Sequence, residues 1–187
     1  MHLKRSRIKF LVILVVLVLS ALDHVGAFAK RTDDRSRYNG ITAIVVNAID
    51  GDTLGIDIPD HPADRTRIRL LGIDCPEIAH APGESDAHFG REAADFVQEH
   101  MIDQKVRIAL DPTRNPRDKF GRLLAYVYLE DSVEMLNETL LVEGLAYADP
   151  RFPHVFRHRF TELERRARRA KVGLWQDLNP QMMPPWR

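Results

Sequence analysis

The 187-residue sequence contains a single cysteine, Cys75, and no excess of either charge, with 27 basic and 27 acidic residues. One cysteine excludes a disulfide framework and every cysteine-rich zinc site. The sequence also lacks a glycine-rich phosphate loop and a Ser-His-Asp arrangement, and its eight histidines are scattered. Because the charge is balanced, bulk electrostatics would not hold this protein on nucleic acid. Any phosphate chemistry must come from a few placed residues.

Long hydrophobic runs are also scarce. The apolar run at 10–22 follows a basic start and precedes Ala27-Phe28-Ala29, the small-x-small pattern of a signal-peptidase site. Thirteen helical residues span about 20 Å, short of a hydrocarbon core about 30 Å thick. We therefore predict that residues 1–29 are a signal peptide cleaved before Lys30. The protein would then be secreted or periplasmic, without stable membrane association once cleaved; the alternative is a membrane anchor formed by 10–22.

The rest of the chain has the composition of one globular domain. Overall, 44% of the residues are hydrophobic and 29% are charged. The first 29 residues carry four basic residues and one acidic residue, so the remainder has a net charge of −3. Residues 30–40 are polar without an apolar period and predict a flexible mature N-terminus. The domain is expected over 41–176, and 177–187, with its adjacent prolines, is expected to form a C-terminal tail.

Alternating and β-branched residues predict strands in the first two thirds of the domain. The Asp50-Gly51 turn joins two of these strands in a hairpin. The predicted strands cover 41–49, 54–58, 66–73, 105–110 and 122–128.

Helical spacing dominates the last third, after one earlier helix at 91–101. A helix is expected at 133–143, ending at Gly144, and another at 155–171, whose apolar stripe contains Phe156, Phe160, Leu163, Ala167 and Ala170. The basic residues opposite this stripe indicate a solvated face, with a nucleic-acid contact as the alternative. Strands followed by helices predict an α+β fold, most simply a small antiparallel barrel of about five strands with three helices.

Five polar residues near predicted strand ends are candidates for chemistry. Asp52 lies in the hairpin turn, and Asp74 and Glu77 follow the third strand. Taken singly, each is an ordinary turn or loop carboxylate. Arg69 and Arg122, taken singly, are ordinary strand and turn arginines.

The order of the motifs is more informative than any one of them, and it covers about 41–175. The motifs are DGDT at 50–53, RLLGIDCPE at 69–77, DKFGRLLAY at 118–126, and NE at 137–138 with GLA at 144–146. In this order and approximate spacing they resemble the staphylococcal nuclease (thermonuclease) family.

The resemblance implies an OB-fold barrel with three helices and a calcium-dependent phosphodiesterase that cuts DNA and RNA to products ending in a 3′-phosphate. It places Asp52, Asp74 and the main-chain carbonyl of Cys75 at the metal. Oxygen ligands of this kind suit Ca²⁺, whereas Zn²⁺ prefers nitrogen or sulfur. Glu77 would activate the attacking water, and Arg69 and Arg122 would donate to phosphate oxygens.

Substrate contacts are less well defined. Lys119 matches a phosphate-contacting lysine, but Phe120 stands where the best-known relative has a tyrosine hydroxyl. The aromatic pair that stacks on the base there has no clear counterpart, although Tyr147 and Phe152 lie nearby. We expect a monomer that prefers single-stranded or fraying nucleic acid.

Two other functional classes fit parts of the sequence. A noncatalytic OB-fold module could bind nucleic acid or protein, and a calcium-binding structural protein could use Asp50 and Asp52 as turn ligands. The second alternative assigns no role to Arg69 and Arg122. The presence of all five active-site residue types favours the enzyme.

Overall fold

A computed structural model of the chain describes residues 34–79, 81 and 83–187. Two compact units are distinguished, Met1–Arg37 and Tyr38–Arg187. The expected signal peptide at 1–29 lies outside the described residues. Among the residues that are described, no helix is long and apolar enough to cross a membrane.

Five strands of the second unit close into a barrel. Their order around the barrel is β1-β2-β3-β6-β5, and the closed five-strand barrel is consistent with the OB-fold that the resemblance implies. All neighbouring strands are antiparallel except β3 and β6, which are parallel. We expected an antiparallel barrel, and this one pair differs from that expectation. The strands are β1 (Thr42–Ala48), β2 (Thr53–Ile56), β3 (Thr66–Leu70), β5 (Lys105–Leu110) and β6 (Leu123–Leu129).

The predicted third strand is interrupted at Gly72. This glycine has a φ of 81°, and a Cβ at this position would collide with the ring of His154. The left-handed conformation turns the chain out of the barrel after β3. Residues Ile73–Asp74 then form a separate short strand, β4, which pairs with β7 (Tyr147–Ala148).

Three helices pack around the barrel, as predicted, with slightly different bounds. They are α1 (Gly90–Met101), α2 (Leu136–Val142) and α3 (Arg157–Ala170). Gly144 follows α2 with a φ of 66°, which confirms its role in ending the helix. Helix α2 begins three residues later than expected, because Met135 has an extended backbone.

The stripe predicted for α3 is confirmed only in part. Phe160 and Ala167 are buried and Leu163 is partly buried, but Ala170 is exposed. Glu164, which lies between Phe160 and Ala167 along the helix, is buried and accepts a hydrogen bond from the backbone N–H of Ala148 at 2.7 Å. Helix α3 is therefore bound to the short sheet through a buried carboxylate.

Both ends of the domain contain more structure than we expected. Residues 34–38 are helical, and the Tyr38 side chain is fully buried with its hydroxyl 3.1 Å from Thr66 Oγ1. Near the other end, Gly173–Trp175 and Pro180–Met182 form 3₁₀ turns. Trp186 then packs on an apolar cluster that contains Tyr147 and Trp175. Single aromatic residues, which create no periodicity, make these contacts.

Candidate active site

One cavity of about 650 Å³ brings most of the sequence-predicted site residues together. It opens beside the ends of β3 and β4, between the loop before β6 and the loop after β7. Arg69, Asp74, Glu77, Lys119, Phe120, Arg122 and the nearby aromatic Phe152 all line it, together with residues that were assigned no role from the sequence: Arg114, Arg117, Asp118, Asp149 and Arg151.

The β1–β2 turn places Asp52 under this cavity. The Asp52 backbone N–H donates to Asp50 Oδ1 at 2.9 Å, and its side-chain Oδ2 accepts from the Cys75 N–H at 2.8 Å. Gly51 permits the close approach, because a Cβ there would lie 2.8 Å from Cys75 Cβ and 2.9 Å from Ala93 Cβ. The Asp-Gly-Asp turn is thus packed between the Cys75 segment and α1, and is not a free surface turn.

Arg69 links the two carboxylates for which the resemblance implies a metal. Its guanidinium forms ion pairs with Asp52 and with Asp74, and all three side chains are at most 14% exposed. Oxygens from the β1–β2 turn and from β4 therefore already converge on one positive charge. Since like charges in a half-buried site repel, Arg69 stabilises this arrangement.

Asp74 has two further partners that sequence reasoning missed. Arg151 Nη2 lies 3.1 Å from Asp74 Oδ2, and the indole Nε1–H of Trp186 donates to the same oxygen at 2.8 Å. Arg151 also pairs with Asp149, which raises the pKa of its guanidinium chiefly through their hydrogen bond. These residues lie in an irregular loop and in the expected tail, where no periodic signal pointed to them.

Glu77 is exposed at the edge of the cavity. Its carbonyl accepts the Ala87 N–H at 2.9 Å, which ties its segment to the loop before α1. A Cβ at Gly90, the first residue of α1, would collide with the same carbonyl. The backbone of Glu77 is thus fixed against α1, while its carboxylate faces solvent in the cavity.

Arg122 is held on the opposite side of the cavity. Its Nε donates to Asp118 Oδ2 at 2.8 Å, and its backbone N–H donates to Asp118 Oδ1 at 2.9 Å. Its Nη1 lies 3.3 Å from Thr53 Oγ1, the residue after Asp52. Arg122 is therefore aimed across the cavity by two neighbouring elements.

Two exposed aromatic rings lie beside the cationic side chains of the cavity. Phe120 is 62% exposed, with Lys119 Nζ at 4.8 Å and the Arg122 guanidinium at 5.5 Å from its ring centre. Phe152 is 50% exposed, with Arg114 at 5.1 Å. Each pair offers a flat apolar surface next to positive charge.

Tyr147 is not brought into the cavity. It is 2% exposed, and its ring packs edge-on against Trp175 at 5.4 Å. Tyr147 therefore offers no free face to a base. Of the two aromatic residues that the sequence offered near the site, Phe152 is the one that lines the cavity.

Cys75 is buried, and burial raises the pKa of its thiol despite the nearby Arg69, which lowers it. The thiol is therefore neutral and unsuited to bind a metal. Within the described ranges, no group of three or more His, Cys, Asp or Glu side chains is arranged to hold a metal ion. A cation here would take side-chain oxygens from Asp52 and Asp74 only, with the remainder from main chain and water.

A buried polar network supports the loop that carries Arg151 and Phe152. Asp111 Oδ2 accepts hydrogen bonds from the Tyr126 hydroxyl at 2.6 Å and the Val155 N–H at 2.9 Å, and His154 Nδ1 lies 3.3 Å from the same hydroxyl. Burial raises the pKa of Tyr126 and lowers that of His154. Burial also disfavours the charged form of Asp111, but the hydrogen bonds outweigh it and lower the pKa.

The basic face of α3 is partly neutralised. Arg165, Arg166 and Arg169 surround Glu162, and Arg159 pairs with Glu138. None of these four arginines lines the cavity. The arrangement favours the solvated-face interpretation of α3.

Comparison with known proteins agrees with the geometry. The sequence model of the family described as "Staphylococcal nuclease homologue" matches residues 67–177. The chain is 35% identical to "Thermonuclease" of Staphylococcus intermedius, over 87% of this chain and 91% of that protein. It is 33% identical to "Thermonuclease" of Staphylococcus hyicus, over 88% and 92% respectively. An "Uncharacterized endonuclease" of Escherichia coli is 32% identical over 76% of this chain and 80% of that protein.

Proposed function

The chain belongs to the family of staphylococcal nuclease homologues, and we propose on this premise that it is a calcium-dependent nuclease that hydrolyses phosphodiester bonds of DNA and RNA. The observation that carries the proposal is one cavity lined by Asp74, Glu77 and two arginines from separate elements, one of which, Arg69, also pairs with Asp52. The names of the relatives, thermonuclease and endonuclease, support the same reaction class.

The donor set fits a hard divalent cation. Asp52 and Asp74 already direct oxygens at one positive charge, that of Arg69. We assign the remaining protein ligand to the carbonyl of Cys75. Ca²⁺ accepts six to eight oxygen ligands, several of them water, so two carboxylates suffice. When bound, the ion would polarise a phosphoryl oxygen and reduce the cost of charge in the transition state.

Glu77 is the proposed general base. It lines the cavity together with Arg69 and Arg122, and its exposure lets a water molecule reach it. Glu77 would take the proton of the attacking water as the new P–O bond forms. The bond from phosphorus to the 5′ oxygen then breaks, and that oxygen takes a proton from solvent water, which leaves a 3′-phosphate and a 5′-hydroxyl.

Arg69 and Arg122 would stabilise the charge that develops on the phosphate. A guanidinium offers a planar fork of N–H donors that matches two phosphate oxygens, which a lysine cannot reproduce. Arg122 is preorganised by Asp118. Lys119 is proposed as an additional phosphate contact, at the mouth of the cavity.

Phe120 and Phe152 give the site its proposed preference for single strands. Unpaired bases stack on exposed aromatic rings with little regard to sequence, and neighbouring cations hold the backbone. In a duplex the bases face each other, so a strand must fray before it can use these rings. We therefore expect single-stranded or fraying substrates to be cut faster than a stable duplex.

The test is cleavage of end-labelled single-stranded and duplex DNA, and of RNA, with Ca²⁺, with Mg²⁺ and with a chelator. We expect Ca²⁺-dependent cleavage that leaves 3′-phosphate ends. Glu77→Gln should abolish cleavage while it preserves binding of the strand, and Glu84→Gln, an exposed loop change, is the matched control. Binding by the wild type without cleavage under any metal condition would instead support the noncatalytic binding module.

We also propose export of the protein, which the leader pattern at 1–29 supports. N-terminal sequencing of the exported protein is expected to start at or near Lys30. Recovery of intact Met1 in the membrane fraction would support the anchor alternative.

A further inference from the structure

The segment of residues 180–187 reaches back to the candidate metal site. The indole Nε1–H of Trp186 donates to Asp74 Oδ2 at 2.8 Å, across a sequence separation of 112 residues. This contact joins the end of the described chain to one of the two carboxylates that carry the proposed function.

Independent contacts hold the segment in place. The Asn179 side chain accepts the Gln181 N–H at 2.9 Å and caps the turn at Pro180–Met182. Arg187 forms an ion pair with the buried Glu164 of α3. The Trp186 ring also packs edge-on against Tyr147 at 6.3 Å. These contacts fix the position of the indole beside Asp74.

The two oxygens of Asp74 have different partners. Oδ1 faces Arg69, which also pairs with Asp52, so Oδ1 lies on the side of the second carboxylate. Oδ2 faces Trp186 and Arg151, whose guanidinium lies 4.2 Å from the centre of a Trp186 ring. The contacts on Oδ2 fix the rotation of the carboxylate and keep Oδ1 turned towards Asp52.

We propose that Trp186 is a positioning residue that orients Asp74 for a divalent cation, an inference that rests on the proposed metal role of Asp74. Outer-shell hydrogen bonds orient metal-binding side chains, and their loss weakens metal affinity about 10- to 100-fold. The indole is a neutral donor, so it directs the carboxylate without cancelling the negative charge that attracts the cation. It has only an N–H to offer, and cannot itself compete as a ligand.

The test uses the two tryptophans of the chain as a matched pair. Trp186→Phe keeps an aromatic ring for Tyr147 and Arg151 but removes the N–H. Trp175→Phe removes a buried indole N–H that has no hydrogen-bond partner among the described residues. Calorimetric titration of each metal-free full-length variant with Ca²⁺ is expected to show affinity about tenfold or more weaker for Trp186→Phe and unchanged for Trp175→Phe.

Unchanged or tighter Ca²⁺ binding by Trp186→Phe would overturn the proposal, since tighter binding would mean that the segment hinders the cation. Trp186→Ala separates the hydrogen bond from ring packing. Equal losses for the Phe and Ala variants support the N–H as the cause, whereas a loss for Ala alone assigns the effect to packing and contradicts the proposal. Thermal unfolding of the metal-free variants shows whether each is folded.

One further variant distinguishes this inference from the proposed function. Asp74→Asn should abolish measurable Ca²⁺ binding if the carboxylate is a ligand. If Asp74→Asn binds Ca²⁺ as the wild type does, the proposed metal role fails. If Asp74→Asn loses binding while Trp186→Phe keeps it, only the positioning role of Trp186 fails.

Discussion

Arg122 is bound to Asp118 through both its guanidinium and its backbone N–H, at 2.8 and 2.9 Å. The turn formed by residues 119–121 between them thus fixes the arginine at the cavity before any substrate is present. Preorganised donors of this kind require little rearrangement when charge develops on the substrate.

Arg122→Lys should therefore reduce kcat by about 100- to 1,000-fold, the usual cost of one transition-state donor. The Arg122 side chain is 24% exposed and does not belong to the hydrophobic core, so the midpoint of thermal unfolding should stay nearly constant. Asp118→Asn keeps Arg122 but weakens its support, and a smaller loss is expected. Turnover on single-stranded DNA and calorimetric unfolding measure the two effects. If the thermal midpoint of Arg122→Lys falls markedly together with its kcat, the residue has a structural role.

Arg69 should contribute to stability as well as to turnover, because it neutralises Asp52 and Asp74 in a largely buried site. Arg69→Gln leaves two unbalanced carboxylates, so the metal-free protein should unfold at a temperature several degrees lower. Ca²⁺ should restore part of this loss by replacing the missing charge. Arg67→Gln, an exposed change on the same strand, is the control and should alter the thermal midpoint little.

Phe160 of α3 should contribute strongly to the stability of the protein. Its side chain is fully buried and contacts the rings of Tyr126 and Phe156, at 6.2 and 5.8 Å between centres. Phe160→Ala is expected to lower the free energy of unfolding by about 3 to 5 kcal/mol. Phe152→Ala removes a half-exposed ring of the same kind and should cost far less. Urea unfolding of both variants gives the comparison, and similar losses would contradict the assigned core position.

His154 should make the protein less stable as the pH falls below the ordinary histidine pKa near 6.5. Its pKa is lowered in the folded chain, chiefly by burial, so the unfolded chain takes up the proton at a higher pH. Protonation in this interval therefore favours unfolding. His154→Gln should flatten the dependence of the thermal midpoint on pH between about 7 and 5. An unchanged slope would show that other groups cause the acid sensitivity.

The Cys75 thiol should be unreactive in the folded protein, since it is buried and its pKa is raised. A thiol-reactive aromatic disulfide is expected to modify Cys75 only after denaturant is added. The absorbance of the released aromatic thiolate measures the reaction. Rapid modification at neutral pH without denaturant would show that the Gly51–Cys75 contact opens readily.

The sequence determined the elements whose signals are local. The β-branched residues of β1, the alternation along β2 and β3, the hairpin turn and the glycine after α2 were recognisable because a strand, a tight turn and a helix end each depend on a few neighbouring residues. Asp52, Arg69 and Asp74 were predicted differently, because each is an ordinary residue when taken singly and only the order of the motifs, through the family resemblance, pointed to them.

Tertiary structure alone decided the contacts between distant segments. Nothing local distinguishes Arg151, in an irregular loop, or Trp186, in an apparent tail, as partners of Asp74. Tyr147 has the same aromatic character as Phe152, but the pairing of β4 with β7 buries the first and the loop after β7 exposes the second. Such contacts depend on which surfaces meet after folding, and burial against a remote element leaves no period in the sequence.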